Sequence, residues 1–165
     1  MLPLEPLIGA SFAPFGDVIE AAAHTPRYAI NEGYAERFHD LANIDTGRDG
    51  GRALVSIFRA RPRSLPFRLK LVERHCLASQ AFMPLSPQRF LVVVAPAGPA
   101  PRSDRLRCFV AAPGQGVNYA AGVWHHPLLA LDAGGDFLVI DRGGARAADD
   151  CEEHALDDPE VWIEA

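Results

Sequence analysis

Short runs rich in Val, Ile, Leu and Phe alternate along this chain with clusters of Gly, Pro, Asp and Ser. Apolar runs of this length, punctuated this often, predict strands joined by tight turns. The expected strands are residues 16–20, 28–31, 54–61, 67–75, 80–84, 90–95, 106–112, 116–119, 124–131 and 137–141. Turn signals separate them, among them Asp49-Gly50-Gly51, Ser86-Pro87, Pro113-Gly114 and Ala133-Gly134-Gly135. The Arg-Gly-Gly after Asp141 reads as a chain reversal needing positive φ. Helix is sparse: a turn near 11–15 and a short piece at 104–106. Many short strands at this spacing argue for an all-β barrel or sandwich.

Within that pattern, residues 67–75 break the usual rule for a half-buried strand. Period-two alternation puts Phe67, Leu69, Leu71, Glu73 and His75 on one face, and Arg68, Lys70, Val72 and Arg74 on the other. The apolar face therefore ends in a carboxylate and an imidazole. Polar groups aimed into an apolar interior must be paired, ligated or functional. Gln80 opens the next strand, and His125 stands fifty residues beyond His75. His125 shares its face with Val123, Pro127, Leu129 and Leu131, so it is given the interior position; His126 alternates outward, to a surface or subunit contact. For Glu73 and His75 the bland alternative is a buried ion pair closing a barrel end. For Gln80 it is an amide satisfying strand-end carbonyls.

Composition narrows the function classes. The 165 residues suffice for one domain spanning 1–165, with 145–165 as an acidic C-terminal tail. Val161, Trp162 and Ile163 in that tail are candidates for docking as an edge strand or on a partner subunit, and a mobile solvated tail is the other reading. The net charge of −5 and the lack of a basic stripe argue against nucleic acid. The first twenty residues lack the pattern of a secretory signal, and the longest apolar run, 90–97, is far shorter than the ~20 residues of a membrane helix. Three widely spaced cysteines, Cys76, Cys108 and Cys151, are expected as free thiols in a reducing cytoplasm.

Two spacings sharpen the chemistry. Gly114, Ala120, Gly122 and His125 match the second signature of cupin barrels, with Ala in place of the usual Pro. Glu73, His75 and Gln80 match the first, with Glu replacing its first His and Gln replacing its Glu. The resemblance implies a cupin-like β-barrel of the double-stranded β-helix type with few short helices. Two such hairpins facing one another bring Glu73, His75, Gln80 and His125 to one centre. Imidazole, carboxylate and amide oxygen suit a first-row divalent ion, Ni or similar. No organic cofactor is expected.

Over nearly its full length to about Gly144, the chain resembles the ureidoglycolate lyase family, once called ureidoglycolate hydrolase. The resemblance rests on Phe15-Gly16-Asp17-Val18-Ile19, Glu36-Arg37-Phe38-His39-Asp40-Leu41, Ser56-Ile57-Phe58-Arg59-Ala60 and Glu73-Arg74-His75. It continues through Ser79-Gln80-Ala81-Phe82, Gln115-Gly116-Val117-Asn118-Tyr119, Gly122-Val123-Trp124-His125-His126-Pro127 and Asp141-Arg142-Gly143-Gly144. Departures are Cys76-Leu77-Ala78 where Pro-Leu-Gly is usual, Ala120 where His is common, and the acidic tail. The resemblance implies a homodimer that cleaves ureidoglycolate into glyoxylate and urea in allantoin degradation. With it in view, Glu73, His125 and His39 are the candidate catalytic groups. Arg59, Gln80, Asn118 and Tyr119 are the candidate substrate contacts, with Arg59 clamping the carboxylate. His75, Gln80, His125 and Glu73 are the candidate metal ligands. Two alternatives stay open: a cupin-type sensor holding a small hydroxy- or keto-acid without turnover, and another metal-dependent cupin enzyme built on Glu73, His75 and His125.

Overall fold

The computed structural model describes residues 1–156, 158 and 161–164; Asp157 and Glu160 of the acidic tail lie outside the described residues. In chain order the strands are β1 (Leu4–Pro6), β2 (Gly16–Ile19), β3 (Arg27–Ile30), β4 (Ala35–Phe38), β5 (Gly51–Ala60), β6 (Phe67–Arg68), β7 (Leu71–His75) and β8 (Gln80–Pro84). They continue as β9 (Phe90–Ala95), β10 (Arg107–Ala111), β11 (Gly116–Tyr119), β12 (Trp124–His125), β13 (Leu129–Ala130), β14 (Gly135–Gly144), β15 (Cys151–Ala155) and β16 (Trp162–Ile163). Helix α1 (Gly9–Phe12) is one turn long and a short helical piece covers Ser103–Arg105, close to the two places expected; three more such turns, at Asn31–Gly33, Arg48–Gly50 and Ala147–Asp149, were not expected.

Two sheets carry the architecture. One runs β1-β10-β9-β12-β7-β15, with β13 also on β9; the other runs β2-β11-β8-β14-β5. Phe90, Val92 and Val94 of β9 meet Phe82 of β8, Val117 of β11, and Phe137 and Val139 of β14 in one buried cluster between the sheets. This is the expected all-β, cupin-like arrangement. The alternate residues of β9, namely Leu91, Val93 and Ala95, enter a second cluster on the outer face of the first sheet. Leu69, Val72, Trp124, Val161 and Ile163 complete that cluster, with Leu2 and Leu4 packed against it. A sheet apolar on both faces needs both faces covered. The two chain ends supply the second cover.

Several expectations are corrected by that second cluster. Val72 does not face solvent with Arg68 and Lys70; it is fully buried. The strand expected at 67–75 breaks between β6 and β7, where Leu69 N–H donates to the carbonyl of Val161. The tail docks on the chain itself: β16 pairs β6, and β15 runs antiparallel to β7 with Cys151 opposite His75. The strand at 124–131 is likewise interrupted, at 126–128, and resumes as β13. No reversal follows Asp141, because β14 continues to Gly144 along the whole of β5. Gly143 is required there for proximity: a Cβ would lie 2.6 Å from Leu54 Cγ. Among the described residues, no helix is long and apolar enough to cross a membrane.

Candidate active site

Strand register explains why distant residues meet. The β7–β8 and β11–β12 connections each pass from one sheet to the other, and the two hairpins lie side by side. Tyr119 of β11 pairs with Gln80 of β8, while His125 of β12 pairs with Glu73 of β7. The turn into β12 is held by Gly122 at φ 80, a left-handed conformation that favours glycine, and its N–H donates to the carbonyl of His75. Period two then does the rest. Glu73, His75 and His125 face between the sheets, and Arg74 and Trp124 face the outer cluster.

His125 is 1% exposed. Its Nδ1 lies 3.1 Å from the carbonyl of Val123, an acceptor only, so Nδ1 carries a proton. The other nitrogen, Nε2, lies 3.2 Å from Gln80 Oε1 and 3.5 Å from Glu73 Oε1. His75 stands beside it, ring centroids 5.4 Å apart, with its own Nε2 buried and without a partner. Tyr119 stacks on the opposite side of His125 at 4.2 Å and 11°, fixing the ring's plane. Ligand atoms of Glu73, His75 and His125 all fall within 4.8 Å of one another.

The electrostatics follow from that crowding. Burial pushes the Glu73 carboxyl up, but His125 and the surrounding imidazoles outweigh it and leave the carboxyl below its usual range. Burial holds His75 below the ordinary imidazole value, and neighbouring His125 adds to this against Glu73, Asp150 and Asp141. The result is an ionised carboxylate beside a neutral imidazole.

The donor set fits a divalent cation. A ligating histidine usually keeps its Nδ1 proton on a backbone carbonyl and turns Nε2 to the ion, and His125 is arranged this way. Its Nε2 converges with a carboxylate, an amide oxygen and an orphaned buried nitrogen. Two imidazoles and one carboxylate form a familiar set for first-row ions.

Above this centre opens a cavity of about 560 Å³ lined by Glu73, Gln80, Phe58, Phe82, Pro127, Leu128 and the segment from Arg59 to Arg63. The structure brings Glu73, His75, Gln80, His125 and Tyr119 together. Arg59 lines the cavity, but its guanidinium is already held in a fork by Asp136 at 2.8 and 2.9 Å. Asn118 is turned to the far side of the second sheet, where Nδ2 donates to Asp17 and to the carbonyl of Asn43. His39 lines a separate cavity with His24 and Tyr28, outside the cluster, its ring edge-on to Tyr28. His126 turns to the outer side of the sheet, half-buried and edge-on to Phe67 at 5.5 Å, with Nδ1 at 2.7 Å from the Pro127 carbonyl.

One residue of the centre escapes the reading by spacing. Asp141 follows Ile140, the partner of Ala81, and so comes beside Gln80. One of its oxygens is buried without a partner. Burial raises its carboxyl above the usual range, against His75 and Gln80. The signal was present: Phe137 and Val139 face inward, and two residues on comes Asp141.

The sequence profile described as ureidoglycolate lyase matches residues 1–164. A protein of that name from Burkholderia cepacia is 56% identical over 160 residues, covering 95% of this chain and 87% of that one. One from Azotobacter vinelandii is 49% identical over 163 residues, covering 99% and 96%. One from Pseudomonas syringae pv. tomato is 47% identical over 157 residues, covering 95% and 91%.

Proposed function

The chain belongs to the ureidoglycolate lyase family, and from that premise we propose that it cleaves ureidoglycolate into glyoxylate and urea at the Glu73–His75–His125 centre. The observation that supports this reading is the convergence of an ionised carboxylate and two imidazoles, with that carboxylate and Gln80 lining an arginine-walled cavity. Ureidoglycolate is a carbinolamide: one carbon bears a hydroxyl, a carboxylate and a ureido nitrogen. Cleavage removes the hydroxyl proton, forms the carbonyl of glyoxylate, breaks the carbon–nitrogen bond and returns a proton to the departing urea. No water is consumed.

Glu73 is the base. Its low proton affinity keeps it ionised, one oxygen anchored by His125 and the other turned to the carbinol hydroxyl. The same carboxyl then delivers the proton to the ureido nitrogen. His125, clamped by Val123, Gln80 and the Tyr119 ring, fixes the direction of approach; Gln80 offers its amide to the carbinol oxygen. Tyr119 serves as the platform, and Arg59, pinned by Asp136, shapes the wall. A divalent first-row ion, nickel or a similar one, would be held by His75, His125, Glu73 and Gln80 and would supply Lewis acidity at the substrate's hydroxyl oxygen.

The assembly belongs to this reading as a single domain over 1–165 and as a homodimer. Supporting the dimer, β5 is a ten-residue edge strand with Val55 and Ile57 exposed at 70% and 53%, and the separate β3–β4 hairpin exposes Tyr34 at 91%. His39, near the base of that hairpin, belongs to the rim of the contact, where it acts as an accessory acid or base, and Asn118 positions the loop at Asn43. The three cysteines are free thiols, as in a reducing cytoplasm.

The test is direct. Purified protein is given racemic ureidoglycolate, and glyoxylate and urea are followed with and without chelator and under anaerobic conditions. Both products should appear in equal amounts, independent of oxygen. Release no faster than spontaneous decay removes the lyase reading.

A further inference from the structure

Three arginines reach the cavity above the centre, and only one is neutralised. Arg59 is locked to Asp136 in a bidentate pair. Arg61 and Arg63 line the same cavity and make no ion pair among the described residues. The Arg63 guanidinium lies 5.7 Å from the centroid of Phe67, a weak contact for an otherwise exposed side chain. The Arg63 N–H donates to the carbonyl of Ala130, tethering the backbone of this segment to the rim. The cavity's facing wall is the Glu73 carboxylate. With Arg59 balanced by Asp136, two free guanidinium groups stand against one carboxylate, so the cavity keeps an excess of positive charge on a chain whose net charge is −5. A cationic mouth on an acidic protein selects and steers anions.

We propose that Arg61 and Arg63, and not Arg59, form the carboxylate-binding subsite, which fixes the substrate's carboxylate at the cavity rim and restricts the enzyme to anionic carbinolamides. The proposal rests on the lyase reading and adds to it the residues that set substrate class. Arg59 is unsuited to this role, because engaging a substrate carboxylate would first require breaking two short hydrogen bonds to Asp136. Arg61 and Arg63 have no such competitor. A guanidinium pair also suits the planar carboxylate, which accepts two parallel hydrogen bonds.

The experiment compares two substrates and one ligand across six proteins: wild type, Arg61→Gln, Arg63→Gln, their double variant, Arg63→Lys and the control Arg102→Ala. Ureidoglycolate carries the carboxylate; N-(hydroxymethyl)urea is the same carbinolamide without it. Wild type should prefer the anion strongly in kcat/KM. The double variant should raise KM for ureidoglycolate by about 10- to 100-fold, the scale of a lost charge-assisted contact, and leave kcat/KM for N-(hydroxymethyl)urea within about threefold. Arg63→Lys should recover part of the lost affinity. Arg102→Ala, an exposed site paired with Asp104 elsewhere on the surface, should change neither. Equilibrium binding of glyoxylate, measured by calorimetry, should weaken in parallel with KM. Both arginines are exposed, and matching thermal melts will exclude misfolding. If the double variant discriminates between the substrates as wild type does and binds glyoxylate equally well, the subsite is overturned while the lyase reading stands. If wild type releases no urea from either substrate, the lyase reading fails, and glyoxylate binding still decides whether these arginines hold a carboxylate.

Discussion

Trp124 and His125 are adjacent, and both are buried to within a percent of completely, yet they do opposite things. Trp124 faces the outer cluster, where the Arg74 guanidinium lies 4.4 Å above its ring and its indole N–H donates to the carbonyl of Gly98. The cation beside it is satisfied as well: Arg74 pairs with Glu152 of the tail and reaches the carbonyl of Gly98. His125 faces the space between the sheets, where Nε2 meets two acceptor oxygens and His75 Nε2 meets nothing. One face of the same two strands is electrostatically finished. The other gathers polar atoms around an imidazole nitrogen that has no partner among the described residues, an arrangement that suits a ligand. Burial alone separates nothing; satisfaction does.

The sharpest way to break this contrast is to truncate each side. His125→Ala should cut kcat by about a thousandfold while the melting curve stays close to wild type. Trp124→Ala should instead cost about 3–5 kcal/mol of stability in denaturant unfolding, with near-normal kcat per folded molecule. An inactive but stable Trp124 variant would erase the distinction between the faces. Glu73→Gln keeps the shape and removes the base, so a loss of about a hundredfold in kcat is expected, visible in the initial rate of glyoxylate release. Next in size is the effect of chelation. Stripping divalent ions should lower turnover at least about tenfold, and restoring one first-row ion should recover it; the Glu73→Gln protein should bind that ion more weakly in a direct titration. His126→Ala comes after these, with about 1 kcal/mol of lost stability from the Phe67 contact and kcat changed by a few-fold at most.

The smallest effect concerns pH. Burial lowers the proton affinity of both His75 and His126 below the ordinary value of 6.5. The unfolded chain therefore binds more protons than the folded one below that value, so stability is complete above about pH 6.5 and declines as pH falls beneath it. Glu73, also lowered, adds a second loss beginning below its ordinary value of 4.5. Thermal melts of the metal-free protein between pH 7.5 and 5.5 should fall by no more than about 1.4 kcal/mol per pH unit for each imidazole. The slope should be shallower in His126→Gln; an unchanged slope would remove His126 from the account.

Much of the inner face could be read from the letters. Alternation placed Glu73, His75 and His125 inward, and cupin-like spacing brought Gln80 to join them, because register and period two are local rules. What alternation did not give was the competition for each polar group. Arg59 looked free until Asp136, 77 residues away, took its fork. Asn118 looked available until Asp17, 101 residues away, turned it outward. Val72 looked solvent-facing because its cover arrives from Val161 and Ile163, far along the chain. Asp141 was legible by the same period-two rule, but Arg142-Gly143-Gly144 after it resembled a turn, which masked a strand running to Gly144.

The tail strand β15 has a temporal consequence. Residues up to 130 already contain Glu73, His75, Gln80, Tyr119 and His125, yet β7 then has only β12 beside it and its other edge is bare. Until Cys151 comes to lie opposite His75, and Asp150 receives the N–H of Leu77 at 2.6 Å, the hairpin bearing the carboxylate has no outer rail. A chain emerging from the ribosome thus carries most of its reactive set before the strand that covers the β7 edge has been made.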